Sequence, residues 1–372
     1  MNHESLSSAA SPKENPIIKL IHTGDFHLKA QDEESEYSLS CLKVLIDHAN
    51  AESVDAVLLC GDMFDKESDY ANQDFVQRVV AVLHTAQMAL YYIPGNHESQ
   101  EGDFSRLRTI DFGQKLKLLS EVGLLRFSDK LEILHVPHSP NYDNFTDWTI
   151  PVKSTPHRIA MAHGEIPGFT FLGDEDGAGV LNAAIFQHHQ VSHVFLGHIH
   201  LSEAIKSSGI EFFYAGSPRP VRRKETGTRG YNIITVTDTI TIQRRQLLEV
   251  GEVKNISTTV LDENWVEDVM LSCHHVQKND RVQIILKGLV SAEIQAGLKK
   301  QQTELISRLS HQCRHVSFTT ELEPLADLLE NPFYKKVYEV WLSKKPADKS
   351  SRDYQVWLQT LHSLKVIKGG VF

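Results

Sequence analysis

Residues 17–28 read IIKLIHTGDFHL. A short apolar run ends at a glycine, and Asp25 and His27 follow it directly. Successive side chains of an extended chain alternate in direction, so residues two positions apart project to the same side. The stretch therefore predicts a buried strand that presents a carboxylate and an imidazole together at its carboxyl end.

The same arrangement, an apolar run followed by a polar cluster, occurs four more times. Amphipathic helical patterns at 38–51 and 72–87 lie between the early runs, and this alternation indicates a layered α/β domain. In such sheets ligands bind beyond the carboxyl ends of the strands, which brings distant clusters together. The further clusters are Gly61-Asp62 after 54–59, Gly95-Asn96-His97-Glu98 after 89–93, His163-Gly164 after 158–162, and Gly197-His198-Ile199-His200 after 193–196.

These clusters contain the donor types that a dinuclear hydrolytic metal site needs. Carboxylate, imidazole and amide oxygen suit manganese, iron, zinc or cobalt, and a shared ligand holds the two ions together. Asp62, which follows a glycine at a strand end, is the natural shared ligand. A single Asp-x-His or Gly-Asn-His pattern carries little information, but five clusters in this order favour a metal site. The candidate ligands are Asp25, His27, Asp62, Asn96, His163, His198 and His200.

The bulk composition excludes several classes of protein. A length of 372 residues, 41% of them apolar, predicts one large domain and a smaller one. The formal net charge of −10 argues against a histone-like basic protein, although a local basic patch could still bind nucleic acid. Four widely spaced cysteines predict free thiols in a reducing compartment. No secretory signal or membrane-length apolar run is present, so we expect a soluble cytoplasmic protein without a membrane span.

The pattern along the chain predicts four segments. Runs at 281–286 and 315–319 read as strands around a helical pattern at 292–309, which indicates a small β-α-β domain. Near the C-terminus, 324–342 and 352–364 read as helices joined by a polar linker. The predicted segments are a flexible tail (1–16), the domain with the polar clusters (17–248), the β-α-β domain (249–322) and a C-terminal helical segment (323–372).

Over about residues 17–245 the motifs resemble the calcineurin-like metallophosphoesterase superfamily. Within it they are similar to the SbcD-type DNA repair nucleases, through IHTGDFHL at 21–28, GDMFD at 61–65 and YAGSP at 214–218. The β-α-β segment after the core also fits the capping domain of that branch. The resemblance implies a layered α/β core of mixed sheets flanked by helices, with a smaller α+β capping domain and C-terminal helices.

The resemblance also implies which side chains bind each metal ion. Manganese is the expected metal, with iron, cobalt and zinc as alternatives. His97 would not bind metal but would lie beside the scissile phosphate and assist the leaving oxygen or the developing charge. Asp65 is a departure, because the archaeal and eukaryotic counterparts carry a histidine there. One ion would be bound by Asp25, His27, Asp62 and His200, and the other by Asp62, Asn96, His163 and His198.

The function that the resemblance implies is hydrolysis of DNA phosphodiesters. A nuclease of this branch acts as an exonuclease or endonuclease in DNA repair or end processing. It would work with an SMC-like coiled-coil ATPase, docked through 323–372, or as a homodimer. Two alternatives stay open. A small-molecule phosphodiesterase or phosphomonoesterase, for a cyclic nucleotide or similar compound, would use the same ligands. A non-enzymatic scaffold would be expected to lack a ligand, and none is missing here.

Further charged residues are given predicted roles because they lie close in sequence to the polar clusters. Glu98 and Glu165 adjoin candidate ligands and are predicted to orient histidines. A dense basic cluster follows the last histidines, where it could contact the phosphates of a DNA backbone. The predicted DNA-binding residues are Arg219, Arg222, Arg223 and Lys224.

Overall fold

The apolar runs of the sequence form strands, which a computed structural model groups into two compact units. The first unit ends at Val250 and the second begins at Gly251. The structure describes residues 17–99, 102–167, 179–260, 264–348, 351–354, 356–357 and 360. The tail predicted at 1–16 therefore lies outside the described residues.

The first unit is an alternation of strands and helices. Its helices are α1 (Asp32–Ala51), α2 (Glu67–Tyr70), α3 (Gln73–Leu83) and α4 (Ala183–His188). Its strands are β1 (Ile18–Thr23), β2 (Ala56–Cys60), β3 (Ala89–Ile93), β4 (Leu116–Leu118), β5 (Gly123–Arg126), β6 (Leu131–Val136), β7 (His157–His163), β8 (His193–Gly197), β9 (Glu203–Ser207), β10 (Ile210–Tyr214), β11 (Gly230–Val236) and β12 (Ile240–Gln246).

These strands form two six-stranded sheets with parallel strands at their centres. The first sheet has the order β12-β11-β1-β2-β3-β4, in which β1 to β4 are parallel. The second has the order β5-β6-β7-β8-β10-β9, in which β6, β7, β8 and β10 are parallel. Parallel strands end at the same edge of a sheet. The segments after β1, β2 and β3 therefore leave the first sheet side by side, and those after β7 and β8 leave the second.

The two sheets pack face to face through a fully buried apolar layer. Leu20 and Leu58 of the first sheet join Ile159 and Phe195 of the second in one cluster. Helices α1 and α3 cover the outer face of the first sheet, and α4 covers that of the second. Strands buried on both faces read as continuous apolar runs, as these do. The layered α/β fold with mixed sheets flanked by helices is thereby confirmed.

Helix boundaries in the first unit differ from the predicted ones at both helices. Helix α1 begins at Asp32 rather than at 38, because its first turn is polar and carries no amphipathic signal. Helix α3 begins where predicted, since the side chain of Asn72 accepts a hydrogen bond from the amide of Phe75, but it ends at Leu83 rather than at 87.

The elements of the second unit are β13 (Val253–Thr259), α5 (Trp265–Ser272), β14 (Arg281–Val290), α6 (Ala292–Leu309), β15 (His315–Pro324), α7 (Leu325–Leu329) and α8 (Pro332–Ser343). Its three strands form a parallel sheet of order β13-β14-β15. The predicted β-α-β pattern is present as β14, α6 and β15, but a further strand and helix, β13 and α5, precede it. The predicted helix at 324–342 is two helices, because Asn331 caps a new helix that starts at Pro332.

A small aromatic cluster closes the second unit. The rings of Trp341 and Trp357 stack at 3.9 Å, and each indole N–H donates to the other residue's backbone carbonyl. Leu289 of β14 packs against this cluster, so the C-terminal helical residues belong to the same unit as the sheet. Most of the helix predicted at 352–364 lies outside the described residues. Among the described helices, none is both long and apolar enough to cross a membrane.

The backbones of the two sheets of the first unit are in close contact at the carboxyl end of β2. A Cβ atom on Gly197 would lie 1.7 Å from the carbonyl oxygen of Cys60, and one on Gly24 would lie 2.9 Å from it. Only glycine allows backbones this close. The ends of β1, β2 and β8 are therefore held together at the place where the polar clusters begin.

Candidate metal centre

The seven candidate ligands converge from five strand ends. Asp25 and His27 follow β1, Asp62 follows β2, and Asn96 follows β3. His163 is the last residue of β7, and His198 and His200 follow β8. All seven are buried. The donor atoms of Asp25, His27 and His200 lie within 4.8 Å of one another, and so do those of Asp62, His163 and His198.

Backbone strain is concentrated in these ligands. Asp25, His27, Asp62 and His198 have φ angles of 58°, 45°, 48° and 96°, in a region that non-glycine residues rarely adopt. Each such residue costs about 1–3 kcal/mol, and it persists only where the surrounding structure enforces it. The surrounding structure therefore holds these four residues in strained backbone conformations, in which their side chains lie close to one another.

The donor atoms face one another as they would around cations. Nδ1 of His200 lies 2.5 Å from a carboxylate oxygen of Glu225, and Nδ1 of His163 lies 2.9 Å from the carbonyl oxygen of Cys60. Since those oxygens only accept, both Nδ1 atoms donate, so that in the neutral form of each ring the Nε2 atom carries a lone pair. Yet Nε2 of His200 lies 2.9 Å from Nε2 of His27, and Nε2 of His163 lies 2.8 Å from Oδ1 of Asn96. Divalent ions would satisfy these converging lone pairs, so the residues fit a metal centre.

Charge interactions within the cluster are strong. Burial raises the pKa of the Asp25 carboxyl to about 8, although His163 and His200 oppose the rise. Burial would also raise the pKa of Asp62, but His163 and His27 hold it well below its usual range. For His163, burial is outweighed by Asp62 and Asp25, which raise its pKa to about 9. Protons therefore compete with metal ions for this site.

A family model for the calcineurin-like phosphoesterases matches residues 18–202, which include all seven candidate ligands. The chain belongs to this family. Members of the family work with two metal ions, and the clustered carboxylates and imidazoles of this phosphoesterase fit that requirement.

Individual relatives are distant. The chain is 23% identical over 340 residues to an uncharacterized metallophosphoesterase, YhaO, of Bacillus subtilis, covering 79% of this chain and 78% of the relative. It is 24% identical over 288 residues to the DNA double-strand break repair protein Mre11 of Haloferax volcanii, and 25% identical over 250 residues to that of Halobacterium salinarum. These two alignments cover 73% and 62% of this chain but only 62% and 60% of the relatives.

Solved structures of phosphoesterases also align with part of the chain. A dimetal phosphatase from Danio rerio aligns with a TM-score of 0.44 and 12% identity, over 62% of this chain and 97% of the phosphatase. A purple acid phosphatase from yellow lupin aligns with a TM-score of 0.43 and 13% identity, over 63% of this chain and 52% of that one.

Two of the candidate ligand histidines contact glutamate side chains. Nε2 of His198 lies 3.3 Å from Glu165, which agrees with the predicted role of that glutamate. Glu225 likewise contacts the ring of His200, a role that the sequence analysis did not predict. It stands next to Lys224 in a basic run, so no local pattern separates it from a solvent-exposed charge. Such partners fix the tautomer and orientation of a metal-binding imidazole.

Glu98 is buried beside the ligands, but the prediction that it orients a histidine is wrong. Its carboxylate accepts hydrogen bonds from the backbone amides of Asp62, Phe64 and Gly95, at 2.8–3.1 Å. It therefore ties the loop after β2 to the loop after β3. Burial and the nearby Asp62 raise the pKa of the Glu98 carboxyl to about 7.

His97 differs from the ligands in being only half-buried. Its backbone amide donates to Oδ1 of Asp62 at 3.0 Å, and its Nδ1 donates to the carbonyl of Asp65 at 2.6 Å. The ring meets that of His27 edge-on, with centroids 4.5 Å apart. Its donor atoms also lie within 4.8 Å of those of His27 and Asp62. Because Nδ1 is hydrogen-bonded to Asp65, Nε2 is the ring nitrogen of His97 that can contact a metal ion or a substrate.

The residues of the predicted basic cluster differ in their exposure to solvent. Arg219 is fully buried and donates to the backbone carbonyls of Phe26 and His27. Its predicted role as a DNA contact is therefore wrong, because its guanidinium does not reach the surface. Arg222 is half-buried, and Arg223 and Lys224 are exposed.

A substitution at the shared ligand tests the metal centre. Asp62→Asn keeps the shape of the side chain but removes the charge between the two groups of donors. Loss of an outer partner alone costs about 10–100-fold in metal affinity, so we expect a larger loss here and metal content well below two ions per chain. Elemental analysis after dialysis measures this, with the exposed Asp47→Asn as control. Metal content equal to that of the wild type would refute a bridging role for Asp62.

Proposed function

We propose that this phosphoesterase is a two-metal phosphodiesterase that cleaves DNA, with manganese as its metal. The observation that carries the proposal is the complete set of seven buried donors, in which Oδ2 of Asp62 lies 3.7 Å from Nε2 of His27 and 3.4 Å from Nε2 of His163. One ion would be held by Asp25, His27, Asp62 and His200, and the other by Asp62, Asn96, His163 and His198. Divalent ions in such a site supply positive charge to a phosphate and lower the pKa of bound water.

The residues of the chain then have separate parts in hydrolysis. The buried ligands offer a rigid, water-poor site in which charge interactions are strong. His97 stands at the less buried side of the cluster, with its ring fixed through Nδ1 to Asp65. Its Nε2 is in a position to donate a proton to the leaving oxygen or to stabilise charge that develops on the phosphoryl group.

Affinity for a polymer must come from contacts beyond the cleaved phosphate, mainly from lysine and arginine. Arg222, Arg223 and Lys224 are candidates, because they lie on the loop whose inner residues contact His27 and His200. In a chain with a net charge of −10, such a local cluster is needed for DNA binding. Two of the relatives are named as DNA double-strand break repair proteins, which supports DNA as the substrate.

Replacing His97 by alanine tests its role. We expect unchanged metal content and a fall in turnover of a small phosphodiester by about 10²–10⁴-fold, as for loss of a general acid or charge stabiliser. The exposed His188→Ala is the matched control and should behave like the wild type. Loss of one or both ions from His97→Ala would instead identify His97 as a ligand.

The substrate class is tested by neutralising Arg222 and Arg223 together. Arg222→Gln with Arg223→Gln should weaken DNA binding and lower the slope of log affinity against log salt by about two, if both side chains contact phosphate. Turnover of a small phosphodiester should hardly change, because that substrate reaches only the metal centre. The exposed pair Arg78→Gln with Arg126→Gln is the control.

The results of this experiment distinguish a DNA nuclease from an enzyme that acts on small phosphoesters. An equal loss with both substrates would mean that these arginines support the site itself. Wild-type protein that hydrolyses the small phosphodiester but shows no salt-dependent DNA binding would favour a small-molecule phosphodiesterase or phosphomonoesterase.

We further propose that the C-terminal helical segment binds a coiled-coil ATPase. Exposed apolar side chains mark partner surfaces, and on α8 Phe333, Val340 and Leu342 are 66%, 55% and 49% exposed. Phe333→Ser with Val340→Ser should abolish co-purification with the ATPase and leave hydrolysis intact. Leu271→Ser, at a residue 74% exposed on α5, is the control. Undiminished ATPase binding would contradict the proposal, and a change in oligomeric state would point to a second copy of the chain.

A further inference from the structure

The loop between β10 and β11 packs against two of the seven candidate ligands. We call residues 216–229 the clasp loop. At its start, Gly216 has a φ of 73°, and a Cβ there would lie 2.7 Å from the carbonyl oxygen of His200. The amide of Ser217 donates to that same oxygen at 3.2 Å. The loop therefore begins in direct contact with the backbone of a ligand.

Arg219 of the clasp loop fastens the backbone around the other ligand, His27. Its Nε donates to the carbonyl of Phe26 at 2.6 Å and its Nη2 to the carbonyl of His27. Nη1 lies 3.5 Å from Glu34, and the guanidinium lies 5.8 Å from the ring centroid of Tyr37. A buried cation is tolerated only when it is paired and hydrogen-bonded. Here the hydrogen bonds hold the strained segment that carries His27, whose φ is 45°.

The same loop holds both the ring and the backbone of His200. Oε1 of Glu225 lies 2.5 Å from Nδ1 of His200, while Oε2 accepts from the amide of Val221 at 2.9 Å. Arg229 donates to the carbonyl of His200 at 3.2 Å and to the carbonyl of Glu225 at 2.7 Å. His200 is thus restrained on two sides by one segment.

The other group of ligands is supported elsewhere. His163 is held by the carbonyl of Cys60 and by the hydroxyl of Tyr142, which donates to the carbonyl of His163 at 3.1 Å. Glu98 holds the loops of Asp62 and Asn96, and Glu165 contacts His198. Within the hydrogen bonds found for the described residues, these supports come from outside the clasp loop.

We propose that the clasp loop positions only one of the two metal ions, the one that Asp25, His27, Asp62 and His200 would bind, with Arg219 as its main positioning residue. The inference rests on the two-metal site of the proposed function. Removing an outer partner of a ligand costs about 10–100-fold in metal affinity. Loss of Arg219 should therefore lower the affinity for one ion by that factor and leave the affinity for the other unchanged. A general loss of stability would lower both affinities.

The test is Mn²⁺ binding to full-length Arg219→Gln, by equilibrium dialysis and electron paramagnetic resonance. The wild type should bind two ions and give an exchange-coupled spectrum. Arg219→Gln should bind the first ion normally and the second about 10–100-fold more weakly, with the coupled spectrum returning at high Mn²⁺. Arg126→Gln, which replaces an exposed arginine outside the clasp loop, should match the wild type.

Reference variants identify the ion that is lost. His27→Ala removes a ligand of the position that the clasp loop supports, and His163→Ala removes one of the other position. The single-ion spectrum of Arg219→Gln should match that of His27→Ala. Where Arg219→Gln does not fold, as judged by circular dichroism, Glu225→Gln takes its place, since it removes the charge behind His200 with little change in volume.

Three results would overturn the inference. Arg219→Gln that binds two ions like the wild type would show that the clasp loop is not needed. Folded Arg219→Gln that loses both ions equally, or whose spectrum matches His163→Ala, would show that its effect is not selective. Wild-type protein that binds no Mn²⁺ would instead overturn the two-metal function on which the inference rests.

Discussion

The site depends on the close packing of backbones around the carboxyl end of β2. The carbonyl of Cys60 accepts from His163 and leaves no room for a side chain at Gly24 or Gly197. Two glycines that precede other candidate ligands also have no room for a side chain. A Cβ on Gly61 would lie 2.0 Å from His163, and one on Gly95 would lie 2.1 Å from Asp62. The glycines before Asp25, Asp62, Asn96 and His198 therefore let strand ends from two sheets bring the candidate ligands close together.

That crowding explains where the strain and the buried charge are found. Four ligands adopt left-handed backbone conformations, and their imidazoles and carboxylates are removed from water. Each condition is unfavourable by itself. They are tolerated because the apolar layer between the sheets fixes the strand ends, while Glu98, Glu165 and Glu225 satisfy the donors around them. Such preorganisation is what a site needs if charge on a phosphate is to be stabilised without rearrangement.

The sequence predicted the layered core and the convergence of the seven side chains, because each polar cluster ends a buried apolar run. It did not predict Glu225 behind His200 or the burial of Arg219. Both lie in one charged run, and the direction of each side chain depends on the path of the loop. Strand β13 was missed because its sequence, VKNISTT, has no regular alternation. The break before α8 was readable, since asparagine followed by proline is a typical helix start.

The pairing of β1 with β11 has a consequence for how the chain folds. Strand β1 lies between β2 and β11, so it remains an edge strand until residues 230–236 are in place. All seven candidate ligands precede residue 201, yet the first two follow a strand that is completed by residues made much later. A growing chain therefore carries every candidate ligand before β1 gains its second neighbour in the sheet. The sheet that presents Asp25 and His27 is completed by a segment that contributes no candidate ligand.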